Sequence, residues 1–159
     1  HHLARARAVG RRGAAQARAT VWDSVNSVSR AVAALYPDAR LDAAGDKTVV
    51  VRVERQDLDE LVGNLLENAA KYGGGSVFVT VGREDGMAEI LIEDDGAGIS
   101  PADRDRVIDR GVRLDSGKPG TGLGLAIVRD VAEIYGGSIA LEESEDLGGL
   151  LVRLRLPAG

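Results

Sequence analysis

Four polar side chains, Glu60, Asn64, Asn68 and Lys71, recur at intervals of four, four and three residues, a spacing that sets them along one side of a helix. Solvent alone accounts for many such faces. Two asparagines are nevertheless poor helix formers that solvation does not require. An amide oxygen is also a hard ligand of the kind magnesium takes, with water and phosphate oxygens filling its other positions. Lys71, one turn on, supplies positive charge for phosphate. Downstream, Asp94-Asp95-Gly96-Ala97-Gly98-Ile99 closes an alternating apolar run. Such a sequence makes an ordinary turn. Equally, a carboxylate fixed at a strand end accepts a hydrogen bond from an exocyclic amine, and glycines let the backbone approach a flat ring. Finally, Gly120-Thr121-Gly122-Leu123-Gly124-Leu125 precedes a helical run. It reads as a flexible helix start, or as a set of unpaired N–H groups at a helix N-terminus, where phosphate is favoured.

The elements that must position these groups follow from periodicity. Apolar residues from Val21 to Tyr36 fall at helical spacing and stop at Pro37. Arg40 to Val53 reads as two short strands around the turn Ala44-Gly45-Asp46. Leu58, Leu61, Val62, Leu65, Leu66, Ala69 and Ala70 predict a helix starting near Asp57, with the polar stripe opposite. Val77, Val79 and Val81, then Glu84-Asp85-Gly86, then Ala88, Ile90 and Ile92 predict a hairpin. A polar, glycine-rich loop covers 95–121, a length that is usually functional. A third helix is expected from about Gly122 to Tyr135, then strands near Ser138 to Glu142 and Leu150 to Leu156 joined by a turn holding Gly148-Gly149. Paired strands between single helices predict an α+β two-layer sandwich, a mixed and largely antiparallel sheet with helices on one face. That order, and the spacing G-x-G-x-G, exclude a dinucleotide-binding doubly wound sheet.

The whole chain, 159 residues with 44% hydrophobic content, suits one domain with a real core. It holds no cysteine, so disulfides and thiolate metal sites are excluded. No apolar run is long enough to span a bilayer. The net charge of −5 hides an asymmetry: Arg5, Arg7, Arg11, Arg12 and Arg18 precede the first acid, Asp23, leaving about −10 for the remainder. With small residues between its arginines and no aromatic before Trp22, the basic arm reads as a solvated helix end or linker, and no nucleic-acid partner is expected. His1 and His2 read equally as native residues or the end of a tag. Glycine is abundant, and seven of the 21 fall between Gly96 and Gly124.

Together, the run from Glu60 to Tyr72, the Asp94 to Ile99 segment and the Gly120 to Leu125 segment resemble the N, G1 and G2 boxes of sensor histidine kinases, relatives of gyrase and MutL. The order and spacing match over about residues 20 to 156. The text from Val107 to Arg113, with Lys118-Pro119-Gly120 after it, looks most like PhoQ-type kinases. The resemblance implies a Bergerat fold with ATP or ADP under a lid at 97–121. It implies residues 1–19 as the end of a dimerisation helix and linker, and 20–159 as the ATP-binding catalytic domain. Asn68 would hold Mg2+, Asn64 and Lys71 would contact phosphates, and Tyr72 would pack near adenine. Asp94 would accept the adenine amine, with Gly96, Gly98 and Ile99 beside the ring. Gly120, Thr121, Gly122, Leu123, Gly124 and Leu125 would hold the phosphates, while Arg110 and Lys118 match lid cations. Asn68, Lys71 and Glu60 are the implied catalytic set. Gly148-Gly149 falls where the family often has a further glycine motif, read as structural. The family's lid phenylalanine is absent, with Ile108 and Val112 in that neighbourhood.

In the gyrase branch a glutamate four residues before the metal asparagine activates water. Here that position is Asn64, whose amide takes no proton. Slow ATP hydrolysis is therefore expected, with Glu60 in an assisting role. The acceptor histidine should sit on a separate dimerisation/phosphoacceptor domain. His1 and His2 lack the acid that follows the acceptor in the family, so transfer is expected in trans. The implied partners are that domain of the same kinase and the receiver domain of a response regulator. The resemblance further implies a monomeric fragment, a homodimeric full-length protein, and a cytoplasmic domain of a protein held in the inner membrane. Other readings of the same fold are a regulatory or degenerate ATP-binding module and an anti-sigma-type serine kinase.

Overall fold

The computed structural model describes residues 17–104 and 124–159, and among these the helical and alternating periodicities become three complete helices and seven strands. In chain order these are β1 (Ala19–Thr20), α1 (Val21–Leu35), β2 (Arg40–Gly45), β3 (Val50–Val51), α2 (Arg55–Tyr72), β4 (Ser76–Glu84), β5 (Met87–Asp94), α3 (Gly124–Ile134), β6 (Ser138–Glu143) and β7 (Leu150–Pro157). Five strands form one sheet in the order β2-β4-β5-β7-β6. Its β2–β4 pair is parallel and the others antiparallel, so the sheet is mixed as expected.

Alternation decides which side of the sheet is covered. Val77, Val79 and Val81 on β4, Ala88, Ile90 and Ile92 on β5, and Val152, Leu154 and Leu156 on β7 are all buried. They share a core with Leu58, Leu61, Leu65 and Leu66 of α2 and Val128, Val131 and Ala132 of α3. The opposite face is half-exposed and partly ionic: Arg153 donates to Glu142 at 2.8 Å and to Glu89 at 3.1 Å. The fold is thus two layers, helices on one face. The β4–β5 hairpin turns at Asp85 and Gly86, both at positive φ, the backbone that a two-residue hairpin requires.

Helix α2 begins at Arg55, two residues before the expected start. Glu54 is extended and its carbonyl already accepts the Leu58 N–H. With Gly63 and two asparagines inside it, α2 is held by burial rather than propensity: each fully buried leucine contributes about 1.5–3 kcal/mol. Two polar ties fix it laterally. Ser24 of α1 donates to Asp59 at 2.6 Å, and Tyr135, just after α3, donates to the buried Asp57. Burial first, and then that hydrogen bond, raise the Tyr135 phenol above its ordinary pKa.

The two strands expected around Gly45 separate into different sheets. Gly45 has φ +120, and Asp46 accepts both the N–H and the hydroxyl of Thr48, so the chain leaves the sheet there. As a result β2 runs parallel to β4, while β3 pairs with the unanticipated β1, Ala19 opposite Val51. Among the described residues, strand pairing starts at Ala19.

Candidate nucleotide-binding site

Strand β5 lies between β4 and β7, and its alternation carries Ile90, Ile92 and then Asp94 to the helix side. A carboxylate is thereby delivered to the end of the core, with only 8% of the residue exposed. Its Oδ1 accepts the Gly96 N–H at 2.9 Å and the Leu150 N–H at 3.2 Å, and its carbonyl oxygen accepts the Gly149 N–H at 3.1 Å. Burial raises the Asp94 pKa, the two N–H bonds oppose that rise, and neighbouring Asp95 adds to it. Among the described residues, every hydrogen bond to the carboxylate falls on Oδ1. Oδ2 is the oxygen left to meet an outside donor.

Three segments close on Asp94. A Cβ built on Gly149 would overlap Asp94 Oδ1 and the Asp94 carbonyl, and would lie 2.6 Å from Gly96 N. One built on Gly96 would lie 2.9 Å from Gly73 Cα and 3.1 Å from the Tyr72 carbonyl. The end of α2, the end of β5 and the β6–β7 turn therefore meet at contact distances only glycine allows. Asp95 has a separate task, accepting the Ser76 N–H at 3.0 Å and so fastening the end of β5 to the start of β4.

Of the expected site residues, Tyr72, Asp94 and Gly96 are brought together in this way, and Gly98, at φ +75, packs beside Gly149. Glu60, Asn64 and Asn68 are half-buried along α2 and Lys71 is exposed, its Nζ 5.3 Å from the centre of the Tyr72 ring. Ile99 packs against the core, and Leu125 is buried within it at the start of α3, which begins at Gly124. Arg110, Lys118, Gly120, Thr121, Gly122 and Leu123, with most of the expected lid, lie outside the described residues. Gly73, Gly149 and Leu150 also wall this cluster, outside the set the sequence predicts. The Gly73-Gly74-Gly75 run directly after the polar helix was the available signal for the first, whereas Leu150 acts through its backbone, which no side-chain pattern reveals.

The sequence pattern of the histidine kinase-, DNA gyrase B- and HSP90-like ATPases matches residues 40–159. Among curated proteins, the sensor protein kinase CarS of Pseudomonas aeruginosa is 49% identical over 104 residues, covering 65% of this chain and 23% of that protein. The two-component sensor PhoQ of the same species is 41% identical over 133 residues, covering 82% of this chain and 30% of that protein. This chain thus spans less than a third of the length of either relative. Among solved structures, the ATP binding domain of PrrB from Mycobacterium tuberculosis superposes with a TM-score of 0.77 at 29% identity, covering 90% of this chain and 97% of that one. The glycine-walled carboxylate, the two-layer sandwich and these likenesses agree: the chain belongs to the histidine kinase-, DNA gyrase B- and HSP90-like ATPase family, as an ATP-binding domain of the sensor-kinase kind.

Proposed function

We propose that this domain binds Mg-ATP and passes its γ-phosphoryl group to a histidine on the dimerisation/phosphoacceptor domain of the same kinase, from which a response regulator's receiver domain takes it. The observation that carries the reading is Asp94. Its Oδ1 is occupied by two backbone N–H groups, so Oδ2 is oriented to accept the exocyclic amine of adenine. Gly96 adjoins that carboxylate with no side chain in the way, and Tyr72, whose carbonyl lies beside Gly96, is proposed to pack near the ring.

Asn68 and Asn64 lie one and two turns before Tyr72 on the same helix, half-buried at the edge of the leucine face, with Lys71 exposed at its end. Asn68 offers a hard amide oxygen, which fits magnesium. Phosphate and water oxygens would complete the ligand set of such an ion. When bound, magnesium would neutralise developing phosphate charge. Asn64 and Lys71 bind phosphate oxygens, and the remaining rate enhancement comes from positioning. Asn64 cannot take a proton from water, which spares ATP for the protein acceptor; a steady turnover like that of a dedicated ATPase would contradict this. No helix among the described residues is long and apolar enough to cross a membrane. We assign this domain to the cytoplasmic side of a kinase held in the inner membrane and homodimeric at full length.

The test is to mix the chain with a separately expressed dimerisation domain and γ-labelled ATP. Acid-labile, base-stable label on that domain supports the proposal. Nucleotide binding without transfer would instead favour a regulatory module, and acid-stable label on a serine an anti-sigma-type kinase.

A further inference from the structure

The β6–β7 turn grips the end of β5 from both faces of the sheet. On the helix side, Leu150 donates its N–H to Asp94 Oδ1, while Gly149 donates its N–H to the Asp94 main-chain carbonyl. On the other side, β5 presents Glu93, buried with 5% exposure, and Ser144 at the start of the turn is buried with 1%. The Ser144 hydroxyl donates to Glu93 Oε1 at 2.8 Å and accepts the Leu147 N–H at 3.0 Å. The Ser144 backbone closes the same loop, its N–H donating to the Gly149 carbonyl and its carbonyl accepting the Gly148 N–H, each at 2.8 Å. One hydroxyl therefore joins the turn that supplies the Asp94 donors to the residue next to Asp94. A buried carboxylate costs stability unless it is hydrogen-bonded, and a surface turn would be simpler without one.

We propose that Ser144 and Glu93 are positioning residues for base recognition: their hydrogen bond fixes the β6–β7 turn so that the Leu150 N–H holds Asp94 Oδ1, the Gly149 N–H holds the Asp94 carbonyl, and Oδ2 is aimed at the adenine amine. The inference rests on the adenine-binding reading of Asp94 given above. Neither side chain needs to touch the nucleotide. Their effect falls on the part of the affinity that depends on the amine, not on the phosphates.

Calorimetric titrations with ADP and with IDP, whose base carries a carbonyl in place of the amine, separate these contributions. The wild-type chain must prefer ADP; equal affinity, or no binding of either, would overturn the Asp94 reading itself and the Ser144 proposal with it. Given that preference, Ser144→Ala is expected to lower the ADP to IDP affinity ratio about fivefold, the worth of one hydrogen bond, while Ser144→Thr and Glu93→Gln, which retain donor and acceptor, stay within about twofold of wild type. Thermal unfolding without nucleotide runs alongside. A Ser144→Ala chain that unfolds earlier yet keeps the wild-type ratio overturns the proposal, because the hydroxyl then only braces the turn. Should Ser144→Ala not fold, Glu93→Ala removes the acceptor instead and the same ratio decides.

Discussion

Replacing Asp94 by Asn separates what this residue does for the ligand from what it costs the fold. The Asn side chain is isosteric, and its oxygen can keep both N–H bonds now made to Oδ1. The group at the Oδ2 position changes from a charged acceptor to an amide donor, which then faces the donating amine of adenine. A hydrogen bond to a charged group is worth about 1.5–3 kcal/mol, so ADP affinity should fall by roughly ten- to a hundredfold. Stability should move the other way or not at all. Burial raises the Asp94 pKa in the folded chain, so the folded state binds this proton more readily than the unfolded state. The stability linked to this group is therefore full at acid pH and is lost as pH rises through the folded pKa. Asn carries no such loss, so the variant should unfold at or slightly above the wild-type temperature at pH 7, and the gap should close on acidification. Calorimetry with ADP and scanning unfolding at two pH values measure both sides. Unchanged ADP affinity, or a marked fall in unfolding temperature at pH 7, would refute the reasoning.

Other substitutions probe the surroundings. Gly149→Ala drives a methyl group into Asp94 and its backbone, an overpacking cost of about 1–3 kcal/mol that should lower the unfolding temperature by roughly 2–12 °C and weaken ADP binding; wild-type behaviour in both assays would mean that the contact is looser than described. Tyr135→Phe removes the phenol bound to buried Asp57 and should cost about 1–3 kcal/mol in denaturant unfolding with little change in ADP affinity. A large loss of affinity instead would place this tie in the binding machinery. The Arg153 hydrogen bond holds Glu142 below its ordinary pKa, so stability from this pair is present at neutral pH and lost as pH falls through the folded value. Glu142→Gln should thus be slightly less stable than wild type at pH 7, and the difference should vanish in acid; a gap that widens on acidification would count against the pairing.

The parts legible in sequence are those where one residue type repeats along one element. The leucines of α2 and the valines of β4 announce their faces because burial imposes the period of the element itself. The polar stripe was visible for the same reason. Strands β1 and β3, two residues each, are too short to show any period, and their pairing joins Ala19 to Val51 through the tertiary fold. The parallel partnership of β2 with β4 likewise leaves no trace in either strand. At the site, Asp94 stood out as an acid closing an apolar alternation. Its donors did not, because Leu150 contributes a backbone N–H and Gly149 contributes the absence of a side chain, and each matters only once β7 lies against β5.

That last dependence also orders events during synthesis. The Asp94 carboxylate takes one of its two fixing N–H groups from a residue 56 positions further along the chain. A nascent polypeptide can close the β4–β5 hairpin early, from contacts that are close in sequence. On the proposed reading of Asp94, its nucleotide site is complete only once β7 has left the ribosome and joined the sheet. On that reading ATP does not template the early steps of folding here. It acts afterwards, by mass action, drawing completed domains away from the unfolded pool.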